Sequence, residues 1–463
     1  MSVSNSESSR GNNRSADNRD SKFIQMTQTP VESLICRMAV PTIISNLIST
    51  FYNMADTFYI GKISTSASGA VGIVFSVMAV IQAVGFFFGQ GSGNNISREL
   101  GKQQINRAEK LAAIGFFSAL IGGTLIAVVG LLFLRPLTLA LGSTETILPY
   151  AMDYLKFILL GAPYMTASLV LNNQLRFEGN AFYGMIGLTT GAILNIILDP
   201  IFIFVFHMGI SGAALATILS QFVSFCLLLR GLNKASGSVP IRFKNFRPSF
   251  SYYKMIAIGG TPSLCRQSIA GLAMIFLNTA ARPYGDAAIA AMAIVSRITN
   301  FTNSVLLGFG QGFQPVCGFN YGAKLYDRVK KGFWFCVKGG TIFLAVLSTI
   351  EFILAPQLIE LFRKGDPEVL RIGTTALRFQ CVTFSLAAWV IISNMMMQTT
   401  GKVFRASFMG LARQGIFLIP LVMILPMFLG IRGIQLAQPI ADCIAFALCV
   451  PLQYSLLKEL DFI

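Results

Sequence analysis

The segment Asn195-Ile-Ile-Leu-Asp199-Pro200 lies inside an apolar run from Met185 to Phe206. This run is long enough to cross a bilayer as a helix. An ionised carboxylate at that depth is costly, so Asp199 marks a functional site by default. Asn195 lies one turn earlier on the same helical face, and Pro200 removes a backbone hydrogen bond beside the acid. The segment therefore predicts an ion or proton site within a membrane.

The composition is that of a polytopic membrane protein. Of the 463 residues, 54% are hydrophobic and 12% are charged, and the mean hydropathy is +0.64. Soluble proteins carry about 25% charged residues. The net charge of +16 comes from basic residues in short loops, which is a topology signal rather than a nucleic-acid footprint. The isolated cysteines and the single histidine, His207, favour neither a disulfide framework nor a metal site.

Twelve apolar runs have spanning length. Basic residues concentrate in the loops after the second, sixth and eighth runs, so both termini are expected in the cytoplasm and the chain in the plasma (cytoplasmic) membrane. Residues 1–30 are polar and lack a signal-peptide core, which predicts a disordered cytoplasmic tail. The runs lie at 34–60, 69–92, 108–134, 149–172, 185–206, 209–230, 251–278, 289–313, 328–354, 369–397, 405–428 and 432–457.

An internal repeat relates the two halves of the chain. Phe88-Gly-Gln-Gly91 recurs as Phe309-Gly-Gln-Gly312, an offset of 221 residues (309 − 88), and Pro41 recurs as Pro262 with the same offset. The offset holds from the first run to the last, which predicts two parallel six-helix repeats about an axis along the membrane normal. We expect one lobe over 31–230, a cytoplasmic linker over 231–250 and a second lobe over 251–463.

Polar residues of the first half should meet at one depth. With about 1.5 Å of rise per residue, Asp199 and Thr217 lie roughly 10 and 12 Å below the same outer surface. Asp56 lies near the outer end of the first run, and Asn195 lies one turn from Asp199. Adjacent buried carboxylates suit reversible protonation, and the same oxygens suit Na⁺.

Structural roles are the alternative for these residues. Asp56 and Asp199 could each pair with an arginine or cap a helix. Pro41, in the same run as Asp56, predicts a kink that is either a hinge or a static feature of packing.

The sequence resembles the multidrug and toxic compound extrusion (MATE) transporters over about residues 30–457. Each fragment is weak alone, but their order and spacing are specific. The fragments are Pro41 with Tyr52 and Asp56, Gly89-Gln-Gly91, Arg176-Phe-Glu-Gly-Asn180, Asn195-x3-Asp199-Pro200, Gly209-Ile-Ser-Gly-Ala-Ala214 with Thr217, and Gln314-Pro315 with Asn320-Tyr-Gly322.

The resemblance implies an all-α, V-shaped antiporter of two six-helix lobes that exports amphipathic, often cationic, compounds in exchange for H⁺ or Na⁺. It implies a coupling site at Asp56, Asn195, Asp199 and Thr217, with Tyr52 and Asn172 beside them. No cofactor and no structural metal are expected, the partners are small-molecule drugs or metabolites and the lipid bilayer, and a monomer is expected. The seventh and tenth runs contain no acid, which resembles the DNA-damage-inducible-F-like branch of the family.

The second half keeps two charges within its runs, Arg297 and Asp442. They are expected to neutralise each other across the lobe or to contact substrate. Glu351 lies close to the outer end of its run and is expected to face water.

Three other functions are weaker alternatives to a secondary exporter. A flippase for a lipid-linked precursor is expected to have several cations in its cavity. An intramembrane enzyme needs a nucleophile with a base or a metal cluster, which the sequence does not offer. A channel is less typical of a two-lobe repeat with a broken helix.

Overall fold

The computed structural model describes residues 20–235, 237–362 and 365–462, and all regular structure within them is helical. The predicted all-helical membrane fold is confirmed. The helices are α1 (20–28), α2 (Val31–Gly61), α3 (Thr65–Gly101), α4 (Ile105–Leu132), α5 (Leu134–Ala140), α6 (Leu148–Phe177), α7 (Ala181–Pro200), α8 (Gly209–Lys234), α9 (Phe250–Ala281), α10 (Asp286–Gly322), α11 (Tyr326–Ile353), α12 (Ala355–Phe362), α13 (Pro367–Thr399), α14 (Val403–Leu411), α15 (Leu418–Leu429) and α16 (Ile431–Glu459).

Each of the twelve predicted runs falls on one of the long helices, counting α14 and α15 together. With α14 to α15 counted as one, ten of the described helical segments are long and apolar enough to cross a membrane. The other two long helices, α9 and α10, have 32 and 37 residues. The length and apolar composition of the runs therefore located the helices correctly.

Two helices change to π-helical turns. In α7 the change follows Pro200, and the π-turn covers Ile201–Val205. In the second half α14 passes into a π-turn over Ala412–Ile416 before α15 begins. The local opening expected beside Asp199 is thus present, and π-turns within helices are frequent at functional sites.

The described chain divides into two compact units. Unit 1 comprises the described residues up to Gly260 together with Gly318–Leu325, and unit 2 comprises Thr261–Cys317 and the described residues from Tyr326 onward. Two of the three divisions fall inside α9 and α10, and the third lies directly before α11.

In unit 1, α6 packs against α3, α4 and α8, while α7 packs against α2 and α8. This arrangement gives α7 a neighbour on each side, both of which carry predicted site residues. In unit 2, α13 packs against α11 and α16, and α15 packs against α16.

The predicted disorder of residues 1–30 is wrong for residues 20–28, which form α1. Met26 is fully buried, and Asn320 Nδ2 donates to its carbonyl at 3.1 Å. Lys22 Nζ donates to Gly179 O at 2.7 Å and to Asn180 Oδ1 at 3.0 Å. Met26 explains the difference, because this apolar side chain of an otherwise polar segment is buried in unit 1. Residues 1–19 lie outside the described residues.

Candidate ion-coupling site

Asp199 is the buried centre of the site. It is 0% exposed near the end of α7, where Asn195 and Thr217 are 2% and 3% exposed. Asn195 Nδ2 lies 3.4 Å from Asp199 Oδ1 and 3.4 Å from Thr217 Oγ1. Thr217 in turn donates to Ala213 O at 3.0 Å. The sequence-based expectation that these three residues share one depth agrees with their contacts.

Two residues of α2 extend the site. Asp56 interacts electrostatically with Asp199, and Tyr52 lies within reach of both charges. Asp56 is half-buried, but its Oδ1 atom is enclosed. The site therefore joins three helices, α2, α7 and α8, as the depth argument predicted.

Three enclosed oxygens of the site have no hydrogen-bond partner among the described residues. They are Asp56 Oδ1, Asn195 Oδ1 and Asp199 Oδ2. A buried acceptor without a donor is costly, and a buried charge without a counter-charge is more so. A proton or a small cation would satisfy these oxygens. The chemistry of the donor set fits reversible binding of H⁺ or of a hard cation such as Na⁺.

A small polar cavity adjoins Asn195 and Thr217. Its volume is about 30 Å³, which is enough for a water molecule. Tyr52, Ser220, Gln221 and Ser224 contribute to its walls. Sequence reasoning missed the last three, although Thr217, Ser220, Gln221 and Ser224 recur at spacings of three or four that place them on one face of α8.

Tyr154 of α6 is a second residue that sequence reasoning missed. Its side chain is 1% exposed and lies beside Thr217, within electrostatic reach of Asp56 and Asp199. A tyrosine hydroxyl so placed can donate to either carboxylate or accept from a water. Only the fold brings α6 to the site, so no local pattern in the sequence pointed to this residue.

Glycines allow α7 and α8 to approach closely. A Cβ atom at Gly191 would lie 2.8 Å from Ser224 Cβ and 3.0 Å from Ser220 O. At Gly187, a Cβ atom would lie 2.6 Å from Leu228 Cδ2. Small residues at a helix crossing let backbones meet in a membrane. The spacing between Asn195 and Thr217 depends on this crossing.

Pro41 lies inside α2, between the start of the helix and Asp56. Thr42 Oγ1 donates to Met38 O at 2.8 Å and Ser45 Oγ donates to Pro41 O at 2.9 Å. The hydroxyls therefore satisfy carbonyls near the proline, which lowers the cost of an irregular helix there. The hinge role of Pro41 stays a prediction.

Asn172 does not join the acidic site. A Cβ atom at Gly184 would lie 2.9 Å from Asn172 Nδ2, so the Asn172 side chain faces this part of α7. Gly184 lies eleven residues before Asn195 on α7, a distance of roughly 16 Å along the helix. The family resemblance placed Asn172 beside the cluster, and that placement was wrong.

The charges of unit 2 pair differently from the sequence-based expectation. Asp442 Oδ1 accepts from Arg413 Nε at 2.7 Å, and Arg297 is exposed. The expected neutralisation of Asp442 by Arg297 was therefore wrong, because helix rotation places Arg413 in the π-turn toward Asp442. Glu351 was expected to face water, but it is 5% exposed and accepts a hydrogen bond from Thr302 Oγ1.

Metal-ligand chemistry is limited in the described residues. They contain no group of three or more His, Cys, Asp or Glu residues that could hold a metal ion. Na⁺ would instead take the carboxylate, amide and hydroxyl oxygens of Asp56, Asp199, Asn195 and Thr217.

Comparison with known families accounts for the repeat and the site together. The MatE family model matches residues 41–201 and 262–424, whose starts differ by the repeat offset of 221 (262 − 41). The chain belongs to the MatE family. It is accordingly a membrane transporter and not an enzyme.

Known MatE proteins are similar over nearly the whole chain. The multidrug export protein MepA of Staphylococcus haemolyticus is 26% identical over 96% of this chain and 97% of its own length. A crystal structure of a MATE protein in complex with MaL6 is 26% identical, covers 95% of this chain and 99% of its own, and superposes with a TM-score of 0.91. A MOP-superfamily transporter from Pyrococcus furiosus, described by a reversed polarity of its binding pocket, is 25% identical over 95% of this chain and 98% of its own, with a TM-score of 0.88.

Proposed function

We propose that this MatE protein exports drug-like amphipathic compounds, often cationic, in exchange for H⁺ or Na⁺. The name of the MepA relative supports multidrug export. The observation that carries the proposal is the set of enclosed, unpaired oxygens on Asp56, Asn195 and Asp199. A site that needs a cation to satisfy it can exchange that cation for a positively charged substrate.

The acidic cluster would couple the two fluxes by competition for charge. When Asp56 and Asp199 are ionised, they attract a cationic compound through a medium of low dielectric constant. Binding of H⁺ or Na⁺ removes that attraction, and Asn195 and Thr217 supply further polar contacts to the bound ion. Tyr52 and Tyr154 would hold the protonated or metal-bound state by hydrogen bonds.

Pro41 would transmit the change. Since Pro41 lies inside α2 and cannot donate a backbone hydrogen bond, the part of the helix that carries Tyr52 and Asp56 can change its direction when the carboxylate charge changes. We propose this hinge together with a DNA-damage-inducible-F-like branch, in which coupling uses the first repeat alone.

Orientation and assembly are further parts of the proposal. The basic loops support a cytoplasmic-membrane protein with both termini in the cytoplasm. The lobes would span 31–230 and 251–463, joined by the linker 231–250. The working unit would be a monomer in the bilayer, with no nucleic-acid partner.

Gradient-driven efflux tests the proposal. The intact protein in proteoliposomes should move a fluorescent lipophilic cation under an imposed H⁺ or Na⁺ gradient, and Asp199→Asn should abolish the gradient response. Asp153→Asn is a matched control, because Asp153 is half-exposed and pairs with Lys156 at 2.7 Å outside the site. Gradient-driven efflux by Asp199→Asn at the rate of the intact protein would refute the assigned site.

A further inference from the structure

Unit 2 contains two neighbouring cavities of about 180 and 200 Å³. They share Asn300, Asn303, Arg413 and Gln414 in their walls. Among the described residues, two arginines and no acid line the pair of cavities. The polar part of the lining consists mainly of side-chain amides, and such amides can donate hydrogen bonds to an anionic group.

Arg413 is the neutralised arginine of the two. It lies in the π-turn Ala412–Ile416, and its Nε donates to Asp442 Oδ1 at 2.7 Å. Gln438 Nε2 donates to the same carboxylate oxygen at 2.9 Å. Asp442 is 2% exposed, so its charge is committed to this ion pair. The terminal guanidinium nitrogens of Arg413 form no hydrogen bond with the described residues.

Arg266 is the arginine without a counter-charge. It is half-buried near the middle of α9, lines the larger cavity and forms no hydrogen bond or ion pair with any described residue. A cation at membrane depth is costly and is usually retained for function. With Arg413 neutralised by Asp442, Arg266 leaves this region with one uncompensated positive charge.

The repeat shows that the two units differ in polarity. Arg266 occupies the position of Ser45, and Asp442 that of Gln221, each at the offset of 221 (266 − 45 and 442 − 221). The equivalent of Asp199 is Pro420. Unit 1 therefore encloses unpaired acceptors, while the matching region of unit 2 offers unpaired donors.

We propose that Arg266 and Arg413 form a subsite for an oxyanion, the carboxylate of an amphipathic organic compound. The inference rests on the proposed export function and adds acidic and zwitterionic compounds to its substrates. Arg266 supplies the charge, and the free nitrogens of Arg413 and the amides of Asn300 and Asn303 supply donors. Guanidinium groups bind carboxylates through paired, charge-assisted hydrogen bonds.

The apolar part of the smaller cavity fits the rest of such a compound. Met274, Leu277, Met292 and Leu418 contribute to its walls. Methionine side chains adapt to varied shapes, and ligand pockets combine apolar walls with a few placed polar groups. An aromatic body with one carboxylate matches both parts of the lining.

Binding of a matched dye pair tests the subsite. The probes are a rhodamine with a free benzoate and its methyl ester, added to the purified full-length protein and followed by fluorescence anisotropy. Arg266→Gln should weaken binding of the benzoate dye roughly tenfold or more, which is the loss of one charge-assisted contact. It should change binding of the ester less than twofold. Arg266→Lys should restore part of the affinity for the benzoate.

Arg378→Gln is the matched control, because Arg378 is an exposed arginine of α13 that lies outside both cavities. It should leave both dyes unaffected. Thermal melting checks that each variant is folded. The subsite would be overturned if Arg266→Gln weakened the binding of both dyes equally, or left the binding of both unchanged.

Two further arms separate the source of the oxyanion and the underlying function. Displacement of the benzoate dye by short-chain phosphatidylglycerol, but not by phosphatidylcholine, would show that a lipid headgroup also occupies the same oxyanion subsite. The absence of displacement by either lipid would assign the subsite to organic acids. Transport of the ester under an ion gradient tests export independently, since its failure would leave the Arg266-dependent binding result intact.

Discussion

The Arg413–Asp442 ion pair makes a quantitative prediction about stability. Asp442→Leu would leave the Arg413 guanidinium, whose side chain is 13% exposed, without its counter-charge. Breaking a buried ion pair costs about 3–5 kcal/mol, whereas replacing both partners by apolar residues is often neutral. Asp442→Leu with Arg413→Met should therefore be far more stable than either single variant.

The expected shift in apparent Tm follows from that free energy. Each 1 kcal/mol lowers Tm by about 2–4 °C in a unit of 150–250 residues, so Asp442→Leu should lower it by roughly 6–20 °C. The double variant should return to within about 4 °C of the intact protein. The assay is the thermal unfolding of the detergent-solubilised protein, followed by intrinsic fluorescence.

A second double variant separates the observed partner from the one that the sequence suggested. Arg297→Met should not rescue Asp442→Leu, because Arg297 is exposed and forms no ion pair with the described residues. The reasoning is refuted if Arg297→Met restores the stability of Asp442→Leu. It is also refuted if the losses in stability of Asp442→Leu and Arg413→Met simply add in the double variant.

Three other substitutions test separate contacts. Gly191→Ala should destabilise the protein by about 1–3 kcal/mol and slow gradient-driven efflux, because its Cβ would lie 2.8 Å from Ser224 Cβ. Gly72→Ala, with open space around the added atom, is the control. Equal melting temperatures of the two variants would contradict the close crossing. Glu351→Leu should lower stability by about 1–3 kcal/mol, because Thr302 Oγ1 loses its carboxylate acceptor and keeps only the longer contact with Ile298 O at 3.4 Å. Glu351→Gln keeps an acceptor and should cost less, and equal losses in thermal melts would argue against this hydrogen bond. Burial, together with the charge of Arg37, lowers the pKa of Lys22 to about 8 from its usual 10.5, while Glu178 opposes the shift. The docked α1 thus binds fewer protons than the free segment, so docking should strengthen as the pH rises from 8 to 10.5 and chymotryptic cleavage after Phe23 should slow. Lys22→Gln should lack this pH dependence, and the same dependence in that variant would refute the assignment.

Much of the fold could be predicted from the sequence, because membrane helices are set by local composition. Apolar runs gave all twelve long helices, and Pro200 marked the π-turn that follows α7. The tail was harder, since the burial of Met26 depends on contacts with residues far along the chain, such as Asn320. Local polarity carries no signal of such long-range packing.

The candidate site was partly predictable for the same reason. Depth along single helices grouped Asp199, Asn195 and Thr217, whose contacts are at 3.4 Å. Depth says nothing about rotation about the helix axis. Pairing Asp442 with Arg413 instead of Arg297 required knowing which faces of the helices meet, and the same uncertainty concealed Tyr154.

The most direct test of the central claim is the linkage between ion binding and substrate binding at Asp199. Affinity of the purified protein for a lipophilic cation would be measured against pH and against Na⁺ concentration, for the intact protein and for Asp199→Asn. Competition at the cluster predicts that the intact protein loses up to tenfold in affinity per unit fall in pH, or per tenfold rise in Na⁺. The dependence should be absent from Asp199→Asn. The same dependence in both proteins would contradict coupling at this site.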